Sequence, residues 1–285
     1  MSAPRVLVVD GNEADVRNFQ RSAIGHDTGT GYARVLSELD ERVVCDIVCP
    51  ADGPAPLPSG SGVDDYDGVA ITGSALNIPQ GGPPVQRQIE LAQAVFEAGV
   101  PLFGSCWGLQ VAVAAAGGSV RVNPRGREFG FARRVAVSEP GRNHPLLDGK
   151  PAVFEAPTVH RDDIETLPSG AVALASNDMG LQATAFSHRR GSFWGVQYHP
   201  EFGYLDIAAA AMRYDMALLT AGLFRDQAEL HTFIADLRAL HADPQNPALA
   251  WKYGLGPAIL DERIRRAELH NWLQQCVLPR RNRRT

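Results

Sequence analysis

Up to Gly118, short apolar runs alternate with stretches of helical spacing. Val6–Val9 is an apolar run that stops at Asp10-Gly11, which reads as a buried strand followed by a turn. A polar stretch, Asn12–Tyr32, leads into a helical pattern over Ala33–Leu39, and Val43–Val48 reads as a second buried strand. Residues 51–64, rich in Pro, Gly and Ser, read as loop. Gly68–Thr72 is a third strand, broken by Gly73-Ser74. Val85, Ile89, Ala92, Val95 and Phe96 share one helical face, with Pro84 suited to the start of that helix and Gly99 to its end. Val100–Gly104 is another strand, and Leu109–Ala116 a buried helix ended by Gly117-Gly118. Strands alternating with helices predict an α/β fold, with a parallel sheet covered on both faces.

From Ser119 to about Gln197 the pattern changes. Short strand-like segments over Arg133–Val137, Val153–Ala156, Val172–Ala175, Ala183–Phe186 and Phe193–Val196 are separated by Gly, Asn and Asp. They read as β structure finishing the same domain, closed by a helix over Asp206–Leu223. Beyond Phe224, Leu230, Phe233, Ile234, Leu237 and Leu240 form one amphipathic face. Leu260, Ile264, Ala267 and Cys276 mark a second helix, with Trp272 and Leu273 nearby. The pattern divides the chain into one domain over 1–225 and a helical C-terminal extension over 226–285. The last six residues include four Arg and are expected to fray.

Composition narrows the class. With 285 residues, 45% hydrophobic and 21% charged, the chain is neither disordered, collagen-like nor a coiled-coil rod. A net charge of −5 speaks against a general nucleic-acid binder. Four cysteines without metal-ligand spacing make no disulfide scaffold. The run Val6–Val9 is too short for a signal peptide, and no apolar stretch approaches the roughly 18 residues of a membrane span. The expectation is a soluble, cytoplasmic protein with no membrane or nucleic-acid partner.

Two segments carry chemistry. Gly104-Ser105-Cys106-Trp107-Gly108-Leu109-Gln110 joins a buried strand to a buried helix. A G-x-nucleophile-x-G bend needs small flanking residues, because larger neighbours collide on so sharp a turn. The bend sets Cys106 at a helix N-terminus, where the dipole favours an anion, and aims the Trp107 N–H at developing oxyanion charge. Taken alone, the segment also fits a structural tight turn around a buried cysteine. The second segment is Gly195-Val196-Gln197-Tyr198-His199-Pro200-Glu201-Phe202. Pro200 holds His199 extended. His199 can take a proton from Cys106 and return it to a leaving amine, and Glu201 can orient the ring and stabilise the imidazolium.

Together these segments resemble the class I, triad-type glutamine amidotransferases, and more closely the amidotransferase domain of GMP synthetase. Arg127-Glu128-Phe129-Gly130 looks like that domain's R-E-[YF]-G element, and Val159-His160-Arg161-Asp162 sits where it carries S-H-G-D. The resemblance covers about residues 4–224. It implies a flavodoxin-like open, mostly parallel sheet and hydrolysis of the glutamine side-chain amide through a Cys106 thioester. Cys106, His199 and Glu201 are then catalytic, with oxyanion N–H groups from Trp107 and the Gly73-Ser74 loop. Gln110 is implied to hold the amino-acid end of the substrate, with His160, Arg161 and Asp162 beside it. Neither a cofactor nor a metal is implied. His160 and Asp162 are spaced like a metal pair, but no third ligand accompanies them.

Three departures stand out. The family's oxyanion loop usually reads S-G-G-P, and here it is Thr72-Gly73-Ser74-Ala75. The glycine of S-H-G-D is Arg161, which either faces solvent, narrows the pocket or binds a second carboxylate. Residues 12–32 are longer than the usual connection and make either a lid or a surface excursion. No ATP pyrophosphatase loop follows, so ammonia must go to another chain or not be the point. The preferred reading is a glutaminase supplying ammonia to a separate synthetase. The alternative is a γ-glutamyl hydrolase acting on a γ-glutamyl conjugate, and a third is an interaction protein that has lost catalysis. A Cys-type α/β-hydrolase fits less well, since the acid follows His199 by two positions rather than preceding it.

Overall fold

The computed structural model describes residues 3–54, 57–58 and 62–284. Part of the loop expected over 51–64 therefore lies outside the described residues, as do Met1, Ser2 and Thr285. The first half runs β1 (Arg5–Val9), α1 (Ala14–Ile24), α2 (Thr28–Leu39), β2 (Val44–Val48), β3 (Gly68–Ile71), α3 (Pro83–Ala98), β4 (Leu102–Ser105) and α4 (Trp107–Ala115). Next come β5 (Ser119–Val122), β6 (Glu128–Val137), α5 (Glu139–Arg142), β7 (Val153–His160), β8 (Asp162–Thr166), β9 (Val172–Asn177), β10 (Gly180–His188) and β11 (Gly191–Val196). The chain then turns helical: α6 (Tyr204–Arg213), α7 (Asp215–Thr220), α8 (Gln227–Ala242), α9 (Pro247–Lys252), α10 (Pro257–Leu260), α11 (Glu262–Arg265), α12 (Ala267–Trp272), a π turn over Leu273–Val277, and α13 (Leu278–Arg284).

The described residues form a nine-stranded open sheet in the order β2-β1-β3-β4-β11-β10-β9-β6-β7, with β5 and β8 as a separate pair. β2, β1, β3, β4 and β11 run parallel, and the remaining four strands continue the sheet antiparallel. This is the flavodoxin-like arrangement with helices on both faces. Leu7, Val9, Val69, Ile71 and Leu102 point to the face covered by α3 and α4. Val6, Val8, Ala70 and Phe103 point to the other, where Tyr32 and Leu36 of α2 meet Trp272, Leu273 and Val277. β1, β3 and β4, buried on both faces, explain the near-continuous apolar runs, whereas β2, expected to be buried, is the edge strand and leaves Val44 and Ile47 exposed. A methyl group on Gly68 would lie 2.8 Å from the Trp272 ring, so that indole seats directly on the β3 backbone.

Several expectations change. Asn12–Tyr32 holds a whole helix, α1, and the first turn of α2. Asp10 staples the segment down, its carboxylate accepting from the Asn12 N–H (2.9 Å) and the Gly29 N–H (2.7 Å), and burial pushes its pKa up to about 6. The helix expected over Asp206–Leu223 breaks at Tyr214, whose ring receives the Arg127 guanidinium at 4.8 Å. The predicted second C-terminal helix begins as two short turns, α10 and α11, which hold Leu260 and Ile264, and then runs on from Ala267 to Arg284 through the π turn that holds Cys276. Nor is the arginine tail loose: Arg280 donates to the carbonyls of Gly99 (2.7 Å) and Tyr66 (3.3 Å), and Arg281 lies 3.8 Å from Asp67. Those carbonyls need donors, and a helix delivering arginines to them is held by their bonds.

The C-terminal helices are tied in at depth. Lys150 and Glu268 form an ion pair of 3.0 Å that is almost wholly buried, and the Tyr198 hydroxyl donates to the same Glu268 oxygen. Lys150 also donates to the Ile264 carbonyl and lies over the Phe154 ring. Removing one partner would leave a buried charge unpaired, at about 3–5 kcal/mol.

Candidate active site

The parallel strands end at one cleft, at their carboxyl edge, where open α/β sheets bind ligands. β4 runs straight into α4 through Cys106, whose backbone is held at φ 51°, ψ −99°. That conformation is rare outside glycine and marks a strained bend. Here the glycine requirement read from the sequence is explicit. A methyl group on Gly104 would sit 2.3 Å from the Gly108 carbonyl carbon, and one on Gly108 would sit 2.2 Å from the Ile71 oxygen. The Cys106 N–H donates to Val196 at the end of β11 (2.8 Å), locking the bend to the strand that leads to His199.

His199 follows β11, its backbone N–H bonded to the Pro157 carbonyl (2.8 Å). Its ring stacks on Phe202 with centroids 3.9 Å apart and planes 12° apart. Nδ1 meets Glu201 Oε1 at 2.8 Å, and the other face of the group is within hydrogen-bonding reach of Cys106. Burial alone lowers the pKa of His199. The adjacent Glu201 carboxylate and the bonds to Cys106 and Glu201 override it and lift the ring to about 10. The Cys106 thiol also has the Val159 carbonyl as an acceptor, at 3.5 Å.

The Gly73-Ser74 loop is placed by the β1–α1 turn. Asn12 accepts from the Ala75 N–H (2.8 Å) and donates to the Gly73 carbonyl, which also accepts from Thr72 Oγ1 (2.8 Å). Ser74 Oγ donates to the Gly11 carbonyl (2.8 Å). Gly73 abuts the histidine so closely that a methyl there would lie 2.5 Å from His199 Cε1. Among the described residues, the N–H groups of Gly73 and Trp107 have no protein acceptor, which leaves both for an oxyanion.

The third wall is Val159-His160-Arg161-Asp162. Asp162 Oδ2 accepts from Asn77 (3.0 Å), and Oδ1 is buried with no partner among the described residues. Burial raises the Asp162 pKa, against the Asn77 bond and the nearby arginines. His160 stands between two acceptors, the Asp162 carbonyl (3.0 Å) and Glu128 (2.8 Å), so both ring nitrogens are engaged in holding the segment. The Gln110 amide donates to the Asp162 carbonyl (3.4 Å) and to Gln197 (3.3 Å), under the floor of the cleft. Arg161 is exposed yet lines the cleft, beside Arg127. Burial, with Arg161 adding to it against the Tyr214 ring, pulls the Arg127 pKa below its ordinary value. Among the described residues neither guanidinium has a carboxylate within ion-pair distance.

The cleft encloses about 920 Å³ of space open to solvent. Its apolar lining comes from Val16 and Phe19 of α1 and from Phe202, Ala209 and Ala210. Segment 12–32 is therefore a wall of the cleft rather than a surface excursion. The sequence did not single out Arg127, Asn12, Asn77 or Tyr214 for the site. Arg127 alone had a signal, its place in the R-E-F-G element. Among the described residues no group of His, Cys, Asp and Glu is arranged to hold a metal, and no helix is long and apolar enough to cross a membrane.

The family model described as glutamine amidotransferase class-I matches residues 41–206. A γ-glutamyl-L-1-hydroxyisopropylamide hydrolase from Pseudomonas sp is 34% identical over 286 residues, spanning 98% of this chain and 95% of that protein. A glutamine-hydrolyzing GMP synthase from Streptomyces coelicolor is 31% identical over 182 residues, spanning 61% of this chain but 31% of that enzyme. In fold, a glutamine amidotransferase from Thermotoga maritima is similar with a TM-score of 0.66 at 16% identity, over 97% of this chain and 99% of that one.

Proposed function

The chain belongs to the class-I glutamine amidotransferase family, and on that basis we propose that it hydrolyses a γ-glutamyl amide whose leaving amine carries carbon substituents. Cys106 Sγ attacks the γ-carbonyl carbon, and the Trp107 and Gly73 N–H groups hold the oxyanion. Ser74 shapes that loop from beside it. The C–N bond breaks as His199 gives its proton to the departing amine. A water molecule, deprotonated by His199, then attacks the thioester, and the glutamate product leaves as the proton returns to the thiolate. Glu201 holds the ring and balances the imidazolium charge. Asp162 Oδ1 takes the substrate ammonium, and Arg127 with Arg161 takes its carboxylate. Gln110 and His160 position these groups from behind. The reaction needs no cofactor, and a cytoplasmic site is part of the same reading.

The observation that carries this reading is the apolar share of the lining of the cleft that holds Cys106: Val16, Phe19, Phe202, Ala209 and Ala210. Ammonia gains nothing from such a lining, whereas each buried methylene contributes about 0.8 kcal/mol. Similarity to the Pseudomonas hydrolase along almost the whole of both chains supports it. The second reading, ammonia supply from glutamine to a separate synthetase, is favoured by the likeness to GMP synthase over its amidotransferase third.

The test is kcat/KM for L-glutamine beside γ-glutamyl ethylamide and γ-glutamyl 2-hydroxypropylamide, with Cys106→Ala as control. The alkylamides should exceed glutamine by about tenfold or more, in line with two to three buried carbons. Equal or better turnover of glutamine would move ammonia supply to the front.

A further inference from the structure

Behind the Glu201 carboxylate lies a second line of hydroxyl groups. Ser105, the residue before Cys106, donates Oγ–H to Glu201 Oε2 at 3.0 Å. Tyr32 OH lies 3.1 Å from Ser105 Oγ. Both residues are wholly buried. The direction of the chain follows from valence. An ionised carboxylate only accepts, so the single Ser105 hydrogen goes to Glu201, and the Tyr32 hydroxyl must supply the hydrogen between itself and Ser105. Each carboxylate oxygen thereby has its own donor, His199 Nδ1–H on Oε1 and Ser105 on Oε2.

We propose that Tyr32 and Ser105 are positioning residues that hold Glu201 ionised and aimed at His199, with Tyr32 acting only through Ser105. The proposal rests on the hydrolytic reading above. Burial, and then the charge of Glu201, push the Tyr32 pKa well above the usual phenol range, so the phenol keeps its hydrogen and stays a donor. Other groups face the same carboxylate. His199 and Cys106 lie on the cleft side, and Asp206 of α6 on another, with His26 beyond it at 3.9 Å. Tyr32 also joins this buried chain to the cleft. Thr28, four residues before it on the same face of α2, lines the site.

Removing a donor from Oε2 favours the protonated carboxyl, which then no longer supports the imidazolium. The acid limb of Cys106 reactivity must therefore move to higher pH. The experiment is iodoacetamide alkylation of Cys106 in the full chain, read by mass spectrometry of its peptide across pH. It compares the wild type with Ser105→Ala, Tyr32→Phe, the double variant and His199→Ala, each checked for an unchanged thermal melt. Ser105→Ala should slow alkylation at the foot of the acid limb about tenfold, the scale of a lost bond to a charged group. Tyr32→Phe, which keeps the ring, should shift it the same way by less. The double variant should match Ser105→Ala alone. On the best γ-glutamyl substrate, kcat should fall while KM holds. Independent, additive effects of Tyr32 and Ser105 overturn the relay, and so does an unmoved acid limb. If wild type and His199→Ala alkylate alike, the hydrolytic reading fails and the relay with it. If those two differ while the hydroxyl variants track wild type, only the relay fails.

Discussion

At one end of the cleft, Cys106, His199 and Glu201 are buried, and each is fixed by bonds to backbone or to another buried side chain. At the other end, Arg127 and Arg161 stand half-buried and exposed without an ionic partner, and Asp162 keeps a bare oxygen, among the described residues. The first end is assembled before any substrate arrives. The second is a set of charges waiting for opposite charges. The difference teaches that the reaction is set by backbone and sheet, while the choice of substrate is left to side chains on loops and on α1.

The sharpest way to break this contrast is at the closed end. Glu201→Gln keeps the shape but removes the anion that supports the imidazolium. It should lower kcat about 10³–10⁴-fold with KM little changed. A loss below tenfold, in steady-state kinetics on the best substrate, would show that this end is not preorganised through its carboxylate. At the open end, Arg127→Gln and Arg161→Gln should act on KM instead. Each should raise it about 10–100-fold, with kcat held within a few fold. A fall in kcat without a rise in KM would place the arginines with the chemistry and erase the distinction. The smallest effect is on stability. His199 is raised above its ordinary 6.5 to about 10, so its contribution is complete below pH 6.5 and is lost as pH rises through 10. Between pH 6 and 10 the wild type should lose a few degrees more in Tm than His199→Gln. An equal loss in both would mean that the closed end stores no such stability.

Much of this was legible because glycine and histidine leave local marks. Gly104 and Gly108 flank Cys106 because a side chain at either would strike backbone, a constraint visible as spelling. The His199–Glu201 pair could be read because the two lie two residues apart. α1 could not. Its residues are mostly polar, and only Val16 and Arg17 are buried, so its narrow apolar face, Val16 and Phe19, is lost among polar neighbours. The β5–β8 pair was also hidden, because its partners lie about forty residues apart and are half exposed. Tyr32 looked like the end of a polar stretch. Its role comes from Ser105, which is 73 residues away along the chain and was noticed only as a small residue in the elbow. The arginine tail was misread because composition reports charge and says nothing of the carbonyls of Gly99 and Tyr66 that receive it.

Trp272 seated on β3 has a consequence for synthesis. The strands whose face it covers leave the ribosome roughly 200 residues before α12 does, a delay of about 10–40 s at ordinary elongation rates. For that interval Val6, Val8, Ala70 and Phe103 have their first cover, α2, but not their second. The nascent chain therefore exposes a greasy patch during translation. A holding chaperone would have reason to bind it there, and to let go only when the last helices arrive.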